Sequence, residues 1–354
     1  MRIVMEKMAC LLVLIGIIVV FFVVAGPLQV QAAEKKISWK GQSTWTAGPG
    51  HQQAVNYFAN TLNKAAGDRF HITMHSAGEI VGPLQVFDAV SKGSLDMGIG
   101  SVLYIEGKMP GISVLGGVLA PLHDTIAHLV WLYEGGGIEL INKNLEKYNL
   151  VAFPNVIIES EQIWSKKPIR SLDDFKGLKI RATGLNMAFF NRLGASAVMM
   201  SMGDTVAALE RGVIDAAEFC APYTDYPAGL YDVCDYIYFG KIHQPHLATE
   251  TFINRDKWNE LPDDLKALVK LAIRDQVFWY FHKYKDLNMH YIEQMKKKNI
   301  KLHRFSPEFE KKFAEVRKSL LDEYSKKYPH VAEARKQMED VNRLYVQMVE
   351  LMGY

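Results

Sequence analysis

Apolar positions along this chain recur with two alternating periods. Residues 37–45 read as a strand. Over 52–66, Val55, Phe58, Ala59 and Leu62 fall on one helical face before Gly67 and Asp68 stop the helix. Residues 70–75 alternate as a second strand. Residues 81–92 carry Leu84, Phe87, Ala89 and Val90 on a short helix ended by Gly93, and 97–101 make a third strand. A β-α-β-α-β run of this kind implies parallel pairing through right-handed crossovers. The order returns with a strand at 178–181, a helix at 186–193, a strand at 196–200, a helix at 202–211 and a strand at 214–219. Two α/β units predict two lobes, and the extended stretches 151–163 and 248–253 are long enough to cross between them. Beyond Pro262 the pattern is largely helical, with Leu265, Leu268, Ile273, Val277 and Phe278 at three- and four-residue spacing. Two lobes joined by two strands describe a hinged clamp that binds its ligand between them.

The N-terminus changes the compartment. Arg2 and Lys7 precede an uncharged stretch from Met8 to Gly26, and Val30-Gln31-Ala32 places small residues at −3 and −1 of a cleavage site. Residues 1–32 are expected to be a secretory signal cleaved near Ala32; the other reading is an uncleaved anchor. Cys10 lies upstream of any lipidation position. The expected organisation is a signal peptide at 1–32, lobe I at 34–158 plus 249–300, lobe II at 159–248, and C-terminal helices at 301–354.

With 354 residues, 49% hydrophobic, the chain is long enough for about two cores, which excludes disordered and disulfide-scaffold classes. Its 41 Lys+Arg against 39 Asp+Glu are interspersed, so no basic face marks a nucleic-acid partner. Beyond the leader, Cys220 and Cys234 remain, either paired or packed as buried thiols. No C-x-x-C, G-x-S-x-G, H-E-x-x-H, Walker or G-x-G-x-x-G pattern follows the leader, which weighs against catalysis.

Two places carry candidate chemistry. Arg181 closes the strand of Gly177-Leu178-Lys179-Ile180-Arg181, either as an anion-binding guanidinium or as a structural arginine paired with a carboxylate. In Asp215-Ala216-Ala217-Glu218-Phe219, Glu218 and Phe219 fall at the far end of a strand. There Glu218 is expected as an uncompensated carboxylate that must be protonated, paired or metal-bound.

These segments resemble the solute-binding component of the tripartite ATP-independent periplasmic (TRAP) transporters, in particular the branch for 2-oxo and 2-hydroxy monocarboxylates. The resemblance extends through Ser76-Ala77-Gly78-Glu79, Gly135-Gly136-Gly137-Ile138, Val151-Ala152-Phe153-Pro154 and Ala221-Pro222-Tyr223. It implies a type II-like periplasmic binding protein fold with C-terminal helices, no organic cofactor, and delivery of a small carboxylate to a membrane permease without catalysis. A secreted enzyme or a ligand-sensing domain on the same frame is the competing reading. By position, Arg181 matches the arginine that pairs with the ligand carboxylate, and Tyr104 matches a tyrosine from the opposite lobe. Glu218 and Phe219 match a pair that holds a metal through a carboxylate and a backbone carbonyl, where that branch usually has Trp in place of Phe219. The third ligand there is a Gln; here the crossing segment is one residue shorter and offers Ser160 or Glu161. A Glu161–Glu218 pair suits Ca²⁺ more than Na⁺. Gln244 in His243-Gln244-Pro245-His246 is expected as a polar selectivity contact, and Pro245 keeps the two histidines from a shared helical face. Phe219, Ile163 and Tyr104 are expected around the ligand's tail, and Trp45 at the cleft or in the core. The resemblance also leaves a homodimer open, although the chain ends early for the C-terminal helix exchange of that branch.

Overall fold

In the computed structural model, which describes residues 36–48 and 50–353, two sheets carry the architecture. The expected signal segment lies outside the described residues. The first sheet runs β2-β1-β3-β10-β4, with β1 (Ile37–Ser43), β2 (Phe70–His75), β3 (Met97–Gly100), β4 (Leu150–Ile158) and β10 (Leu247–Asn254). β1 pairs in parallel with β2 and β3, whereas β10 runs antiparallel to both β3 and β4. The second sheet runs β11-β9-β5-β8-β6-β7, with β5 (Ile163–Ser165), β6 (Lys179–Arg181), β7 (Ser196–Val198), β8 (Ala216–Glu218), β9 (Tyr236–Phe239) and β11 (Lys301–Arg304). Each sheet is therefore a parallel α/β unit with an antiparallel strand inserted, and the predicted mixed α/β class holds.

Local sequence explains the helices. In α1 (His51–Ala66), buried Val55, Phe58, Ala59 and Leu62 form the stripe expected from spacing, and Gly67 takes positive φ at the stop. The helix expected over 81–92 is shorter, because a 3₁₀ turn at Pro83–Gln85 precedes α2 (Val86–Ser91). A Cβ at Gly98 of β3 would come within 2.7 Å of Val86 and 2.9 Å of Val90, so only glycine lets α2 lie directly on the strand. In the second unit, α3 (Asn186–Arg192) follows β6 and α4 (Met202–Glu210) follows β7, with Ser201 capping α4 through Asp204 N–H.

The stretch expected as one crossing strand over 151–163 is two strands, β4 and β5, and residues 159–162 step from the first sheet to the second. The return runs from β9 through residues 240–246 to β10, which belongs wholly to the first sheet. The helical remainder adds bridges that spacing did not reveal. Helix α5 (Asp263–Lys297) is 35 residues, about 52 Å, and buries Leu265 to Tyr284 with the main core and Met295 in the second sheet's core. The chain then adds β11 as an edge strand beside β9, a strand where helix was expected. Helices α6 (Pro307–Lys327) and α7 (Pro329–Met352) follow, burying Phe313, Leu320 and Leu321 and then Val331, Ala334 and Met338. Among the described residues no helix is long and apolar enough to cross a membrane.

Candidate functional site

The segments that cross between the sheets bring both sides of a small cavity together. Trp45, Ser101, Leu103, Tyr104, Ile158, Leu247 and Thr249 line it from the first sheet and its loops; Glu161, Arg181, Thr183, Met202 and Cys220 line it from the second. Parallel pairing sets Arg181 beside Ala217, so the last residue of β6 and the last of β8 meet at one sheet edge. There Arg181 forms an ion pair with Glu218 through Nη1, which also donates to the Glu218 carbonyl at 2.7 Å. Nε donates to the Met200 carbonyl at 3.3 Å, and the guanidinium lies 5.4 Å from the Phe219 ring centroid. Both side chains of the pair are buried.

This corrects one expectation. Glu218 is compensated: besides Arg181, its Oε1 accepts from Thr183 Oγ1 (2.8 Å), Thr183 N (3.2 Å) and Asn186 Nδ2 (3.0 Å). Glu161 is the less compensated carboxylate, offset only in part by the nearby Arg181. Its Oε2 lies 3.6 Å from His243 Nε2, and burial, with Glu218 nearby, pushes its pKa well above the usual carboxylate range. Burial alone would lower the pKa of Arg181, but Glu218, Tyr104 and Glu161 outweigh it and the net direction is up. Burial pushes the Tyr104 phenol up to about 12, keeping its hydroxyl protonated as a donor at the cavity wall.

Other expected contacts are rearranged. Ser160 turns its hydroxyl onto the carbonyls of Gly240 and Glu161, which leaves Glu161 as the crossing segment's contribution. Gln244 is absent from the cavity lining; its Oε1 accepts from Asn186 Nδ2 at 2.9 Å and its carbonyl from Glu161 N at 3.3 Å. Ile163 is wholly buried in the core and is absent from the lining, since β5 is flanked by β8 and β9. Phe219 lines an adjoining groove with Trp45 and Met202. His243 and His246 diverge, His243 toward Glu161 and His246 onto His128 at 4.9 Å between ring centroids.

Spacing gave no signal for several neighbours. Thr183 and Asn186 were legible only as a turn and a helix start. Gly184 between them takes φ of +53°, and a Cβ there would collide with Ser113 Oγ, which accepts from Leu185 N at 3.3 Å; the two sides close on a glycine. Cys220 and Cys234 are free and buried. Cys220 Sγ lies 3.2 Å from His51 Nε2, and His51 Nδ1 3.0 Å from the Tyr280 hydroxyl. This has the geometry of a nucleophile and base, but burial pushes the thiol well up and His51 down to about 3, so a thiolate–imidazolium pair is disfavoured from both sides.

The donor set fits a cation. Glu161, Glu218 and His243 each offer one ligand atom, and these lie within 4.8 Å of one another. The Glu161 carboxyl is buried among acids, and neither ring nitrogen of His243 has a hydrogen-bond partner. An ion held there would supply positive charge for a bound carboxylate and order its neighbouring oxygen.

The buried acids also set a stability profile. Burial pushes Asp225, which accepts from Trp164 Nε1 at 2.7 Å, up to about 7, and pushes Glu250 well up. Folding favours their protonated forms, so their contribution is complete below the unfolded pKa of about 4 and is lost as pH rises through the folded value, about 7 for Asp225. For Asp225 the difference is on the order of 4 kcal/mol. Buried His51, His243 and His246, lowered to about 3, act oppositely, with a contribution complete above about pH 6.5 and lost as pH falls. The melting temperature of the ligand-free protein should peak near pH 6–7. Calorimetry from pH 5 to 9 checks this, and a steady rise from pH 6 to 9 would contradict it.

Comparison with known proteins bears on this geometry. The family described as bacterial extracellular solute-binding protein, family 7 (DctP), matches residues 42–327. A monocarboxylate 2-oxoacid-binding periplasmic protein of Nostoc sp. is 31% identical over 280 residues, 79% of this chain and 77% of that protein. A TRAP periplasmic solute-binding protein of Colwellia psychrerythraea, solved with calcium and pyruvate, superposes with a TM-score of 0.84 at 27% identity, covering 90% of this chain and 97% of the other. One from Pseudoalteromonas atlantica, solved with sodium and pyruvate, has the same fold at 24% identity, with a TM-score of 0.84 and coverage of 90% and 97%.

Proposed function

Because this chain belongs to the DctP family of TRAP solute-binding proteins, we propose that it captures a small monocarboxylate with a 2-oxo or 2-hydroxy group and passes it to a membrane permease. The observation that carries the ligand class is the cavity's charge: Arg181 is the single Lys or Arg among its lining residues, and Glu161 of the crossing segment lines it too. One guanidinium suits one carboxylate, and a second carboxylate would meet Glu161. In this reading Arg181 holds the ligand carboxylate and Tyr104 donates to it from the facing wall. Glu218, Glu161 and the Phe219 carbonyl would hold a cation, of the kind of Ca²⁺ or Na⁺ in the relatives, which would supply positive charge to the ligand's 2-oxygen. Apolar Leu103, Ile158, Met202 and Leu247 take the tail.

The same reading divides the mature chain into lobe I (34–158 plus 249–300), lobe II (159–248) and C-terminal helices (301–354), exported to the periplasm after cleavage near Ala32 and acting without turnover. A secreted enzyme is the second reading, favoured only by the Cys220–His51 contact, which burial disarms. Incubation with pyruvate, lactate and branched 2-oxo acids separates the two: binding raises the melting temperature with no change in the acid's NMR spectrum. Consumption of the acid would overturn the transport reading.

A further inference from the structure

The ion site differs in its donors from an all-oxygen cage. His243 is wholly buried, and its ring is held by Phe190 at 5.0 Å and Phe189 at 6.2 Å between centroids. The Nε2 atom faces Glu161 Oε2 at 3.6 Å. That separation is longer than a hydrogen bond. It is close to the roughly 3.4 Å expected between two ligands of one tetrahedral ion whose bonds are about 2.0–2.2 Å. A buried imidazole with two unpartnered nitrogens calls for an explanation, and a lone pair beside two carboxylates is a ligand arrangement.

We propose that His243 is a nitrogen ligand of the ion in this cavity, and that with Glu161 and Glu218 it makes the site select a divalent d-block ion of the Zn²⁺ or Mn²⁺ class over Ca²⁺ or Na⁺. The proposal rests on the preceding reading that an ion lies in the cavity. Calcium and sodium prefer oxygen donors in loose geometry, whereas imidazole with carboxylates suits first-row metals. Glu218 shares its carboxylate with Arg181, so Glu161 and His243 are the donors that the protein leaves to the ion.

Calorimetric titration of chelator-stripped protein, with no acid present, tests this. Wild type is expected to bind Zn²⁺ or Mn²⁺ at least 100-fold more tightly than Ca²⁺. His243→Gln should lose at least 100-fold in Zn²⁺ affinity while changing Ca²⁺ affinity less than threefold. Pulsed EPR of the Mn²⁺-loaded wild type needs no variant and should show nitrogen hyperfine coupling. Equal Zn²⁺ and Ca²⁺ affinities, or a Mn²⁺ signal without nitrogen coupling, overturn the assignment. Pyruvate titrations in Ca²⁺ on the same sample separate this from the functional reading. Pyruvate bound with no preference for Zn²⁺ overturns the His243 assignment alone. Zn²⁺ preference with no acid bound under any ion keeps it and overturns the solute site.

Discussion

Replacing Arg181 by alanine should reduce monocarboxylate binding roughly 10- to 100-fold and also destabilise the protein. A charge-assisted bidentate contact contributes roughly 1.5–3 kcal/mol, up to about two orders of magnitude in affinity. The second effect follows from the Arg181–Glu218 pair, since removing one partner of a buried pair costs about 3–5 kcal/mol by leaving the other unmatched. Alanine alone therefore confounds folding with binding. The double variant Arg181→Met/Glu218→Gln removes both charges at similar volume and should recover the melting temperature without recovering the acid. Arg181→Lys keeps the charge but not the fork, and should bind measurably and more weakly than wild type. Calorimetry on the three variants reads both effects. A double variant that binds within threefold of wild type would remove Arg181 from the ligand's carboxylate.

Stripping the ion should weaken acid binding by at least tenfold. Glu161 and Glu218 present oxygens within 4.8 Å of each other. At an effective dielectric of about 20, two unit charges at that distance repel by about 3 kcal/mol. A bound acid adds a third negative charge, and Arg181 supplies one positive. Either a cation enters or Glu161 holds a proton, which its raised pKa allows. Dialysis against chelator followed by titration in sodium-free and calcium-free buffer distinguishes the two. A tenfold loss restored by adding the ion back is expected, and unchanged affinity would assign the charge balance to a protonated Glu161.

The sequence made some of this readable for definite reasons. Apolar stripes at period 3.6 marked α1, and Arg181 and Glu218 could be placed at strand ends because Gly212 and Asn186 mark neighbouring element boundaries. What spacing does not carry is which strands become neighbours. The parallel pairing of β6 with β8 turns two separately plausible site residues into one ion pair. Of the alternatives for Arg181, the structure shows the structural pairing with Glu218, and the anion site is part of the proposed function. Strand β11 was unreadable because Lys301, His303 and Arg304 give it no apolar face; pairing with β9 along the sheet edge makes it a strand. Ile163 was misplaced for a related reason, since a three-residue strand offers too little alternation to decide which face is core. The divergence of His243 and His246 was anticipated from Pro245, but the approach of His243 to Glu161 depends on the loop that returns from β9 to β10.

The central claim is that one arginine in a small cavity selects one small carboxylate. Isothermal titration of ligand-stripped protein, resupplied with ion, tests it most directly when pyruvate, lactate and branched 2-oxo acids are set against a C4 dicarboxylate and sialic acid. Saturable one-to-one binding of a monocarboxylate, at least tenfold tighter than either competitor, is the predicted result. Tighter binding of the dicarboxylate or of sialic acid would contradict the account.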